Sequence, residues 1–64
     1  MEPKGYRDTL ALLWETFPMT LTKQLAADAI GASVSFVDKL LREGKLKRNA
    51  GKITLPSVAW YLCS

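Results

Sequence analysis

The sequence predicts a mainly α domain carrying one small β-hairpin near its C-terminal end. Apolar residues recur at helical spacing through the first two thirds of its 64 residues, the period shortens to two after Gly44, and Pro56 opens a last apolar stretch.

Leu10, Leu13, Trp14 and Phe17 fall at i, i+3, i+4 and i+7, one face of a helix placed at 6–16. Pro18 closes it, because proline disfavours helical backbone in the residue before it, here Phe17. Glu2-Pro3-Lys4-Gly5 reads as a loose end ahead of that helix. Trp14, at helical spacing with two leucines, is expected in the core rather than as a platform for a base.

A second helix fits residues 22–30. Thr22 is its N-cap, with a hydroxyl that can accept from an open backbone N–H of the first turn, and Leu21 is placed to pack on Ala26 as a hydrophobic staple. Gly31 stops it, since glycine enters the left-handed conformation without a Cβ clash. A helix this short does not persist alone in water, so it must pack on a neighbour. That neighbour is a helix at 34–43, capped by Ser33 and ended by Gly44. On a wheel of about 100° per residue centred on Val37, Leu40 and Leu41 lie beside it and Ser35, Lys39 and Arg42 lie opposite. Gly31-Ala32-Ser33 permits only a sharp turn, and Ala26, Ala27 and Ala29 allow close approach, so the pair reads as a helix-turn-helix.

Beyond Gly44, Leu46, Ile53 and Leu55 alternate with Lys45, Lys47, Lys52 and Thr54, the mark of half-buried strands. Strands are expected at 45–48 and 52–55, closed by a three-residue loop with Gly51 in the left-handed position. Pro56 suits the first turn of a last helix, 57–62, whose Val58, Trp60, Tyr61 and Leu62 are too apolar for a free tail.

Composition narrows the function. A chain this short buries only about 60% of its exposable surface, which leaves little stability to spend on a strained catalytic site. It has no histidine for acid–base work or metal ligation, its one cysteine (Cys63) has no base near it in sequence, and no phosphate-binding glycine pattern occurs. An enzyme is not expected, nor a metal, cofactor or small-molecule substrate. A single thiol cannot form an internal disulfide, so a reducing cytoplasm is expected. No apolar run reaches the length of a membrane span, and Met1 to Gly5 lack the apolar stretch of a signal peptide.

Charge is concentrated in one segment. Residues 39–52 hold Lys39, Arg42, Lys45, Lys47, Arg48 and Lys52 against the single acid Glu43, whereas the other fifty residues hold three bases and five acids. Clustered cations are the electrostatic footprint of a polyanion binder.

The run Leu21-Thr22, Ala26-Ala27, Ile30-Gly31, Ser33, Val37, Leu40-Leu41, Arg42-Glu43-Gly44-Lys45-Leu46 and Ile53 with the closing helix resembles a family. It is similar to the small winged helix-turn-helix DNA-binding proteins of the excisionase and MerR-like type found in phages and mobile elements, over residues 21–62. The leading helix also looks like those of short helix-turn-helix proteins from Gram-positive mobile elements. The resemblance implies one winged helix-turn-helix domain over 1–64, the second helix of the motif in the DNA major groove and the hairpin as a wing. It implies a setting in a bacterial or phage-infected cell, associated with the nucleoid. The chain departs from the pattern at Val34, where a basic or polar residue often follows the cap, at Asp38, and at Leu25, where a capping-box Glu is usual.

On this reading Ser35, Lys39 and Arg42 face the groove, where Lys39 and Arg42 can donate to guanine O6 and N7. Phe36, on the flank, either touches a thymine methyl or extends the core. Asp38 pairs with Arg42 four residues on, or accepts from cytosine. Lys45, Lys47, Arg48, Asn49 and Lys52 form the wing and grip backbone or minor groove, while Thr22 and Lys23 reach phosphate at the start of their helix. Trp60, Tyr61 and Leu62 either cover the core or serve self-association. The expected partner is double-stranded DNA, with a second copy or a recombinase to supply the specificity that one small unit lacks. The role is that of a recombination accessory factor or a small transcriptional regulator. The other reading is a protein-interaction adaptor that has kept the fold without base readout.

Overall fold

A computed structural model describes residues 2–63; Met1 and Ser64 lie outside the described residues. Among these the order is α1 (Tyr6–Thr16), β1 (Thr20–Leu21), α2 (Lys23–Ile30), α3 (Val34–Arg42), β2 (Arg48–Asn49), β3 (Lys52–Thr54) and α4 (Leu55–Cys63). The chain is therefore mainly helical, with a three-stranded antiparallel sheet in the order β1-β3-β2. One cluster, Leu21, Ala26, Ala27, Val37, Leu40, Leu46, Ile53, Leu55 and Val58, forms the core and draws on every element but α1 and β2.

The helix boundaries follow from their caps. Thr22 Oγ1 accepts from Leu25 N–H at 3.2 Å and Ser33 Oγ from Phe36 N–H at 3.2 Å, each satisfying a first-turn donor that has no partner within the helix. Gly31, at φ 80°, reverses the chain after α2, and Ala32 N–H returns to Ala27 O at 2.9 Å. That closure sets α3 against α2 after three residues. Glu43 caps α3 instead of extending it, so the helix ends at Arg42.

The hairpin differs from the expected 45–48/52–55. Lys45 N–H closes the end of α3 on Leu40 O at 2.9 Å, and Leu46 is buried from an irregular segment, so strand pairing starts only at Arg48. The turn is the two residues Ala50 (φ 55°) and Gly51 (φ 81°), not three. Both left-handed positions match the twist of the flanking strands, as in a type I′ turn. Leu55 leaves the sheet for α4, whose first turn tolerates Pro56 because no helical partner awaits its missing N–H.

Strand β1 is a further difference. Two residues are too few to show a period, yet Thr20 and Leu21 pair with Thr54 and Ile53, and Leu55 N–H reaches Met19 O at 2.8 Å. Buried Leu21 thus serves as strand and as lead-in to the Thr22 cap.

Helix α1 lies on the outside, packed chiefly on α4. Tyr6 meets Trp60 edge-on with ring centroids 5.2 Å apart, and Cys63 Sγ donates to Thr9 Oγ1 at 3.2 Å. Both contacts join residues 54 apart, so the two helices run in the same direction. Glu2 to Gly5 is not a loose end: Tyr6 N–H bonds Pro3 O, and Arg7 pairs with Glu2 at 3.1 Å. Trp14 is not in the core either. Leu10, Leu13 and Phe17 turn inward, and Trp14, about 100° round from Leu13, falls past the edge of the single layer beneath and is 58% exposed. No helix among the described residues is long and apolar enough to cross a membrane.

Candidate nucleic-acid interface

Helix α3 divides along its length. Val37 and Leu40 are buried, Val34, Phe36 and Leu41 pack at the margin of the core, and Ser35, Lys39 and Arg42 stand exposed on the opposite side. Phe36 lies half-buried and packs against the core. Residues four and three apart on one helix stack in a row, so the serine, the lysine and the arginine share a face.

Asp38 sits on the flank of that row, and its partner is Lys23, not Arg42. Lys23 Nζ lies 2.6 Å from Asp38 Oδ1, linking the first turn of α2 to the middle of α3. The hydrogen bond from Lys23 holds the Asp38 carboxyl below the usual aspartate value; slight desolvation opposes this, and the charges of Lys23, Arg42 and Arg48 reinforce it. Cations from α2, α3 and β2 thus all favour the ionised Asp38, Lys23 by direct contact. Fifteen positions separate Lys23 from Asp38, so nothing in the local sequence announces the pair; only the tight turn at Gly31 brings them together.

The sheet register sorts the residues expected in a wing. Arg48 pairs with Ile53, so both side chains lie on one face, and Ile53 is buried; Arg48 is thus on the face toward the core, at its exposed edge. Asn49 pairs with Lys52 on the other face, with Lys47 two residues before Asn49 on that same side. Lys45 is bound to Glu43 at 3.5 Å. Lys45 and Lys47 line a cleft against α4 together with Tyr6, Trp60 and Leu62. The basic segment is therefore split. Arg48 joins the α3 side, Lys45 and Lys47 face α4, and Asn49 and Lys52 occupy the exposed hairpin.

Of the remaining expected residues, Thr22 spends its oxygen on the cap to Leu25, and Lys23 is occupied by Asp38. Tyr61 packs on the core, whereas Trp60 and Leu62 are each 41% exposed, so the C-terminal trio covers the core only in part. No group of three or more potential metal ligands occurs among the described residues. No protein-family model, curated protein or solved structure matches this chain.

Proposed function

We propose that the chain is a winged helix-turn-helix module that binds double-stranded DNA, with α3 in the major groove and the β2–β3 hairpin beside it as a wing. One observation carries the reading: Ser35, Lys39 and Arg42 form an exposed polar row on α3 opposite its buried Val37 and Leu40, with Arg42 of that row and Arg48 of β2 both acting on Asp38 beside it. A nine-residue helix is about 13 Å long and offers its polar side chains across a groove about 12 Å wide. Each phosphate met by a cation releases condensed counterions, so this flank supplies affinity, while Lys39 and Arg42 donate to base edges.

The resemblance to excisionase and MerR-like proteins makes the role that of an accessory factor in recombination or a small transcriptional regulator of a mobile element. Titration of a labelled duplex at two salt concentrations tests it. Affinity should fall steeply with salt, by a slope of about one per phosphate contact. Absence of binding even at about 50 mM salt ends the proposal and leaves the adaptor reading, which the part-exposed Trp60 and Leu62 favour.

A further inference from the structure

A second feature lies on the other side of the hairpin. Between the segment after α3, the N-terminal end of α1 and the outer side of α4 is an open cleft of about 860 Å³. Its apolar walls include Tyr6, Pro56, Trp60 and Leu62, and Lys45 and Lys47 stand at its polar side. Such a volume lies within the range of ordinary ligand sites. We propose that this cleft docks an acidic segment of a partner protein, one that offers a bulky apolar or aromatic side chain next to a carboxylate.

Charge selects this occupant. Among the described residues no aspartate or glutamate lines the cleft and Lys47 makes no ion pair, so their balance there is positive. Lys45, by contrast, is held by Glu43 at 3.5 Å. One unpaired ammonium beside apolar walls matches one carboxylate beside one apolar side chain. A nucleic-acid strand fits less well, because it brings a phosphate with every nucleotide to a cleft whose two lysines include one already paired with Glu43. The walls are set before binding: Trp60 is braced edge-on by Tyr6, and Ser57, on the cleft floor, donates to Thr54 O at 2.7 Å. An aromatic side chain entering against Trp60 gains from burial and from edge or offset ring contact.

The cleft and the α3 flank use different residues. Lys47 and Arg48 are neighbours in extended backbone and project to opposite faces, so a peptide on one does not displace a duplex from the other. The proposal does not rest on DNA binding and survives its failure.

The test is selection of short random peptides displayed on phage against the full chain. Enriched peptides should carry Asp or Glu next to an aromatic or large apolar residue, and should bind the Lys47→Glu variant about tenfold more weakly or worse. Lys47 is exposed, so that variant should keep the fold, which circular dichroism verifies. The chain has two tryptophans, so in Trp14→Phe the emission reports Trp60 alone, and it should shift as peptide binds. No enrichment, enrichment of basic peptides, equal binding by Lys47→Glu, or an unmoved Trp60 signal overturns the proposal. Tighter, Lys47-dependent binding of single-stranded oligothymidine would overturn it in favour of nucleic acid.

Discussion

Lys23 Nζ and Asp38 Oδ1, 2.6 Å apart, tie the start of α2 to the centre of α3 across the face proposed to meet DNA. On the proposed reading the carboxylate takes the place of a phosphate at Lys23, and Arg42 and Arg48 also act on it.

Asp38→Asn should therefore strengthen duplex binding and steepen its salt slope by about one, because Lys23 is released to a phosphate. Random and preferred duplexes should gain alike, so discrimination between them should not improve. Anisotropy titrations at two salt concentrations read both effects; unchanged affinity would remove Asp38 from the interface.

The same pair sets an acid dependence. Asp38 is depressed in the folded chain, so the stability it lends is complete above the ordinary aspartate value near 3.8 and fades as pH falls through its lower folded value. Wild type and Asp38→Asn should differ in urea midpoint at neutral pH and converge toward strong acid. A gap that persists at the lowest pH at which the chain still folds would assign the difference to packing.

Lys39→Ala should weaken binding to a selected site more than to random duplex, and Arg48→Ala should weaken both equally. Lys47→Ala, on the opposite face of the hairpin, should have the smallest effect of the three. A Lys47→Ala loss as large as that of Arg48→Ala would place the duplex across both faces of the wing.

Ala50 is the one described non-glycine residue with positive φ, at 55°, and it precedes Gly51 in the hairpin turn. Left-handed backbone costs an L-residue about 1–2 kcal/mol, and asparagine relieves part of that by local hydrogen bonding. Ala50→Asn creates the Asn-Gly pair preferred in such turns and should raise the urea midpoint. Gly31→Ala, where an added Cβ meets nothing within 4 Å, should lower stability by about 1 kcal/mol through backbone strain alone.

Trp14→Ala should change unfolding free energy by no more than about 0.5 kcal/mol, as expected for a surface site, against the 3–5 kcal/mol typical of a buried tryptophan. Equilibrium denaturation distinguishes the two outcomes directly.

Much of the fold was legible because its signals are local. Pro18 after α1, the Thr22 and Ser33 caps, the Gly31 reversal and the Val37–Leu40 stripe each act within a turn or two, and α1, α2 and α3 end within one residue of where those signals place them. What escaped depends on distant partners. Strand β1 exists because β3 offers it an edge, Trp14 is exposed because no layer extends far enough to cover it, and the hairpin shortens because Lys45 closes a helix first. The exposed row Ser35, Lys39 and Arg42 could be read from periodicity, whereas the Lys23–Asp38 pair and the cleft at Lys47 could not, since each joins segments that only the tertiary fold brings together.

The same-direction pairing of α1 and α4 constrains how the molecule is made. Tyr6 meets Trp60 and Thr9 meets Cys63, each 54 positions along the chain, so α1 lacks this support until α4 has been synthesised. Until then its inward leucines have no surface to cover, and a nascent chain halted short of residue 60 should leave that helix open to protease. Docking of α1 in this sense waits on synthesis of α4.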